Sequence, residues 1–177
     1  MKRNIIICGL IAGLIVTILM MGEMANLFKI EGSLLLGYTT MLVAFSLIFV
    51  AVKNTRDKYN DGVITFGSAF KIGLMITLIA STMYVIVWLF DYYYFVNDYL
   101  EKYYAHQIAA MKAKGATQAQ VAKAVADASA FTKLYKNPFI NAAYTYREIL
   151  PMGLVVSLAA ALILKRKATS EDIVMTS

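Results

Sequence analysis

Four runs without a single Asp, Glu, Lys or Arg govern what this chain can become: Asn4–Gly22, Gly32–Val52, Ile72–Phe90 and Ile149–Leu164. They are 19, 21, 19 and 16 residues long. A hydrocarbon layer ~30 Å thick is crossed by a helix of ~20 mostly apolar residues, so each run fits one crossing. The four runs hold 75 of the 177 residues, and the 28 charges fall on the other 102. That remainder therefore has the charge density of an ordinary soluble surface. The expected fold is all-α, a polytopic membrane protein. A soluble enzyme and a disordered tail are both excluded.

The net charge of +6 does not point to nucleic acid, because its placement is that of a topology signal. With the N-terminus inside, Lys2, Arg3, Lys53, Arg56, Lys58, Lys71, Lys165, Arg166 and Lys167 are cytoplasmic, nine basic residues in 35 positions. The loops on the other side, Glu23–Glu31 and Asp91–Glu148, hold eight in 67. Both termini are thus expected in the cytoplasm. The first run exceeds the roughly 7–15 apolar residues of a signal-peptide core. Met20-Met21-Gly22-Glu23-Met24 offers no small-x-small cleavage site, so the run is expected to remain as a span. The single Cys gives no evidence on redox compartment.

Residues 1–167 read as one membrane domain with spans near 4–22, 32–52, 70–90 and 147–164, followed by a short cytoplasmic tail, 168–177. Phe28, Lys29 and Glu31 belong to a short outer turn. The inner loop Lys53–Gly67 is rich in turn formers, with Thr65 placed to cap the third helix. Between spans three and four, residues 91–138 read as an outer helical hairpin. Asp91–Lys114 contains no Gly or Pro, and Gly115 stops its helix. Thr117 caps the next helix, whose apolar face is Val121, Val125, Ala128, Phe131 and Leu134. Asn137-Pro138 then starts the last helix, which Pro151 is expected to kink. Tyr38, Trp88, Phe90, Tyr92, Tyr93, Tyr94, Tyr144 and Tyr146 fall at or near the outer interface, where amphipathic rings are favoured.

Several segments resemble one family: Gly37–Ser46 (GYTTMLVAFS), Arg56–Tyr59 (RDKY), Ile64–Gly73 (ITFGSAFKIG), Leu134–Pro138 (LYKNP) and Ile163–Lys167 (ILKRK). In that order they resemble a bacterial family of four-span membrane proteins catalogued as domain of unknown function 4199. The resemblance runs from the first span to Lys167. It implies a bacterial inner-membrane protein and brings no activity, cofactor or catalytic residue.

Small residues recur every fourth position at Gly9, Gly13 and Thr17; at Ala69, Gly73, Thr77 and Ser81; and at Gly153, Ser157 and Ala161. Such stripes let helices in lipid approach closely, and packing within one bundle is the expected use of at least two of them. Glu23, Asp91 and Glu148 mark the outer ends of three spans. In a compact bundle they would form a mouth for a cation or a proton relay. In the simpler reading each marks where its helix meets water, with Arg147 beside Glu148. No charge lies near the middle of a span, which favours the simpler reading. Arg56, Lys58 and Lys71 are candidate contacts for anionic headgroups, each Lys or Arg contributing ~1 kcal/mol near the surface.

Apparent catalytic motifs fail. Ser68-Ala69-Phe70-Lys71 has the S-x-x-K spacing but no K-T-G or S-D-N companion. Gly62–Gly67 has P-loop glycine spacing but lacks the Lys that reaches phosphate. His106 and Cys8 are expected on opposite sides of the membrane, so no His/Cys metal site or Cys–His nucleophile forms in one chain. Neither a metal nor a cofactor is expected, and the tyrosines read as packing rather than as a nucleic-acid surface. The leading expectation is a non-enzymatic protein presenting its hairpin to a membrane or periplasmic partner, to a second copy or to the bilayer. The alternative is a small oligomeric transporter or channel for a cation or small solute, although no Gly/Pro-interrupted helix pair is present.

Overall fold

The computed structural model describes residues 2–24 and 34–167, with side chains for 2–22 and 37–167. The Glu23 side chain, the turn with Phe28, Lys29 and Glu31, and the tail 168–177 lie outside the described residues. The described chain is all helical apart from turns and one isolated bridge. In order come α1 (Lys2–Met24), α2 (Leu34–Phe45), α3 (Leu47–Tyr59), α4 (Phe66–Tyr94), α5 (Tyr99–Ala113), α6 (Gln118–Tyr135) and α7 (Pro138–Leu164). Four segments are long and apolar enough to cross a membrane: Lys2–Gly22, Gly37–Tyr59, Phe66–Tyr94 and Pro138–Leu164. The chain is therefore a multi-pass membrane protein. The α5–α6 pair is not a span and lies in sequence between spans three and four.

α2 and α3 form one span interrupted at Ser46, whose hydroxyl donates to the Val43 carbonyl at 2.6 Å. That bond competes with the helical ladder, as Ser side chains do inside helices. The span continues past Lys53 to Tyr59, so much of the expected inner loop is helix. Only 60–65 turn, through Asp61 and Gly62 at φ 48° and 81°.

The contacts divide into two compact units, one of residues 1–84 and 146–177, the other Val85–Thr145. In the first, buried positions are dominated by small and β-branched residues, among them Ala12, Ala44, Ala51, Ala69, Ala80, Ala160 and Ile48. All three small-residue stripes are used within this unit. A Cβ on Gly9 would meet Ile79 at 2.9 Å, and one on Gly13 would lie 3.2 Å from the Ala80 Cα. Gly73 faces Ser157, and Gly153 faces Thr77. The Thr77 and Ser157 hydroxyls are 3.3 Å apart, and Ser157 also donates to the Gly153 carbonyl at 2.7 Å. Large apolar side chains such as Ile18, Leu78 and Ile163 are turned outward, as lipid-facing positions must be.

In the second unit the caps form where the sequence places them. Thr117 and Gln120 make a reciprocal capping box, and Asn137 Oδ1 accepts from the Phe139 amide at 2.9 Å. Gly115 has φ 81° at the end of α5. Two expectations are corrected. Helix α4 does not run on into α5: the Asp91 carbonyl accepts from both Phe95 and Val96, and Asn97-Asp98 form a turn. The buried positions of α6 include Ala128 and Tyr135, whereas Val125 and Leu134 are exposed, so the face is rotated from the expected one. α7 runs unbroken through Pro151.

Candidate functional site

Trp88 organises the Val85–Thr145 unit. Its indole N–H is 3.0 Å from both the Tyr135 hydroxyl and Asn141 Oδ1. An indole can only donate, so the Asn141 amide is fixed with its oxygen toward Trp88. Tyr92 and Tyr99 pack on the indole at ring separations of 6.0 and 5.4 Å, and Tyr92 meets Tyr135 edge-on at 5.4 Å. Tyr93 donates to the Lys136 carbonyl at 2.9 Å. Trp88 and Tyr92 are thus interior groups, not members of an interfacial belt, whereas Tyr94 and Phe90 are exposed.

Beside this cluster three buried polar atoms have no hydrogen-bond partner among the described residues: Asp91 Oδ2, Tyr92 Oη and Asn141 Nδ2. Asp91 is 8% exposed, and Asn141 is wholly buried. Burying a charge without a partner costs several kcal/mol, so Asp91 is an anomaly that packing alone does not explain. Of the three acids singled out by sequence, Asp91 belongs to this unit, Glu148 is an exposed residue of the other, and Glu23 has no described side chain. Among the described residues no group of three His, Cys, Asp or Glu can hold a metal.

Farther along the pair, α5 and α6 enclose an open groove of about 540 Å³ lined by Tyr103, Tyr104, Met111, Asp127 and Phe131. Tyr104 meets Phe131 edge-on at 6.2 Å, and Gln107 donates to the Tyr103 hydroxyl at 2.8 Å. Burial pushes the Tyr104 phenol above its usual range, with Tyr103 and Tyr144 adding to the effect.

The basic cluster belongs to the other unit. Arg56 forms a two-pronged pair with Asp57 at 2.6 and 3.3 Å and donates to the Leu164 carbonyl at 3.4 Å. Ile64 and Arg166 exchange backbone hydrogen bonds of 3.0 and 2.9 Å, tying the turn to the end of α7. Arg56 thus serves a helix C-terminus, where a cation is favoured. Lys58 and Lys71 are exposed.

Sequence reasoning missed Asn141 and Tyr135. The signal for Asn141 was present: Asn141, Thr145, Ile149, Gly153, Ser157 and Ala161 are spaced by four, and all are buried. The small-residue stripe of α7 therefore begins three turns earlier than its glycine.

No curated protein and no solved structure matches the chain. A family model described as protein of unknown function (DUF4199) matches residues 7–166, which is nearly the whole chain, and the chain therefore belongs to that family.

Proposed function

We propose that this protein is a non-enzymatic membrane protein that holds the α5–α6 pair outside the cytoplasm and presents it to a protein partner with an acidic face. The observation that carries the reading is the construction of the Val85–Thr145 unit. Its base is fixed by Trp88, Tyr135 and Asn141, while the α5–α6 surface stays open, with Tyr103, Val125 and Leu134 each about half exposed. Between Glu101 and Asp127 the only charged residues are Lys102, Lys112, Lys114 and Lys123. A basic tip selects an acidic partner and disfavours a second copy of itself. The heavier basic content of the segments at the other ends of the spans supports a bacterial inner-membrane location with both termini inside. Lys58 and Lys71 there are suited to anionic headgroups.

The test is in-cell crosslinking from a photoreactive residue at position 123, read by mass spectrometry. The expected result is one protein adduct, absent when the probe sits at Lys167 and lost when Lys112, Lys114 and Lys102 are changed to Gln. An adduct of twice the chain mass, or lipid adducts alone, would overturn the reading.

A further inference from the structure

We propose that the adjoining ends of α3 and α7 form a docking site for a lipid with two phosphates, of the diphosphatidylglycerol class, whose headgroup rests on Lys53 and Arg166. Depth is the first reason. Lys53 is the first charged residue after the uncharged run Gly32–Val52, and Lys165 and Arg166 are the first after Ile149–Leu164. Each therefore stands where hydrocarbon gives way to headgroups. This holds whichever face of the membrane is cytoplasmic, so the site depends neither on the orientation nor on the partner proposed for α5–α6.

The fold brings the two span ends together. The Arg56 side chain donates to the Leu164 carbonyl at 3.4 Å, while its own carbonyl accepts from the Gly62 amide at 2.9 Å. Arg166 lies beyond the last residue of α7, yet its backbone is paired with Ile64 in both directions. Its guanidinium passes over Gly62, 3.9 Å from where a Cβ would stand. A cation on a fixed backbone gives up less freedom on binding than one on a free tail.

Charge then selects the headgroup. Arg56, Lys53 and Arg166 all act on one carboxylate, that of Asp57. Arg56 closes an ion pair with it at 2.6 Å, whereas Lys53 and Arg166 are exposed and make no ion pair among the described residues. Asp61, the acid of the turn, is ion-paired with none of them. Three cations around one acid leave two positive charges uncompensated. A lipid with a single phosphate answers one of these; a headgroup with two phosphates answers both, and basic pockets between span ends suit such headgroups. The planar fork of Arg166 matches phosphate oxygens in particular. The acyl chains also have a surface: Val50 lies one turn before Lys53, Leu162 and Ile163 precede Arg166, and each is about half exposed or more. An apolar face below paired charge fits a lipid rather than a soluble diphosphate.

The experiment is native mass spectrometry of the full chain in detergent, titrated separately with diphosphatidylglycerol, phosphatidylglycerol and inorganic pyrophosphate. A saturable one-to-one adduct with diphosphatidylglycerol is expected. Phosphatidylglycerol should bind at least about fivefold more weakly, because one phosphate forgoes one of the two charges. Lys53→Gln and Arg166→Gln should each weaken the diphosphatidylglycerol adduct by about fivefold or more, and Lys123→Gln should behave as the parent does. The Ile64 bridge survives Arg166→Gln, since only backbone atoms make it. A second measurement serves if a variant folds poorly: diphosphatidylglycerol should raise the parent's unfolding temperature more than phosphatidylglycerol of equal phosphate content, as a ligand of the folded state must. The proposal is overturned by equal affinity for the two lipids, by pyrophosphate binding as tightly as diphosphatidylglycerol, or by equal losses in Lys53→Gln and Lys123→Gln. It is also overturned by an adduct that forms only after Glu171→Gln with Asp172→Asn, which would make the chain's own tail the occupant.

Discussion

Gly153 of α7 lies against Thr77 of α4 so closely that no methyl group fits between them. A Cβ at Gly153 would lie 2.6 Å from the Thr77 hydroxyl oxygen and 3.0 Å from its Cβ. Because Thr is branched at that same carbon, rotation about χ1 exchanges one clash for another. One helical turn further along the pair, a Cβ at Gly73 would meet the Ser157 hydroxyl at 2.7 Å and Ile48 at 3.0 Å. Gly153→Ala and Gly73→Ala are therefore expected to destabilise the first unit, each by about 1–3 kcal/mol. Gly67→Ala is the control, because nothing lies within 4 Å of its Cβ, and there the better helix former should be neutral or stabilising. Thermal unfolding in a fixed detergent checks all three, and equal midpoints for Gly153→Ala and Gly67→Ala would count against the close approach.

Trp88→Phe retains most of the apolar bulk but removes the N–H that serves Tyr135 and Asn141. Losing a buried partner typically costs about 1–3 kcal/mol. The loss should be confined to the Val85–Thr145 unit. Hydrogen exchange is expected to speed up in α5 and α6 while α1 keeps its protection. Uniform loss across all helices would show that Trp88 is not a local fastening.

The spans were legible because absence of charge over 16–21 residues has one physical use in a chain of this length. The caps at Thr65, Thr117 and Asn137 were legible because each satisfies a local backbone donor, and all three form. What escaped was whatever depends on a partner distant in sequence. Nothing local distinguishes Trp88 in an interfacial belt from Trp88 bonded to Asn141, 53 residues away. The rotated face of α6 has the same origin. Val121, Val125 and Leu134 follow a helical period, but Tyr135 is drawn inward by Tyr92 and Trp88 and turns Leu134 out. Asp91 was picked out as one of three similar acids, and only its burial sets it apart.

Tyr104 gives the α5–α6 pair a predictable response to alkali. Its phenol is raised above the unfolded value of about 10 by burial first and by Tyr103 and Tyr144 second. A raised value means that the neutral form is favoured in the folded pair. The associated stability is therefore fully present below about pH 10 and is lost as pH rises through the higher folded value. Helicity of the pair should hold to pH 10 and then decline, and Tyr104→Phe should shift that decline to higher pH. Circular dichroism against pH, with tyrosinate absorbance recorded in parallel, checks the order of events. A decline that begins below pH 9 would contradict it.

Arg56 and Lys58 sit two residues apart in the last turn of α3, and the structure assigns them different work. Arg56 is engaged by Asp57 and by the Leu164 carbonyl at the end of α7, whereas Lys58 is exposed. Removing the guanidinium takes from the Leu164 carbonyl the donor that Arg56 supplies, at a cost of about 0.5–2 kcal/mol where such a contact is partly buried. Arg56→Gln should accordingly speed hydrogen exchange in the last turn of α7 and at Ile64, which is bridged to Arg166. Lys58→Gln should leave those amides unchanged and instead weaken retention of anionic lipid during purification. Arg56→Lys separates charge from shape: a point charge keeps the attraction to the helix end but loses the two-pronged hold on Asp57, so partial protection is expected. If Arg56→Gln and Lys58→Gln gave the same exchange pattern, Arg56 would be one more surface cation rather than the clasp between α3 and α7.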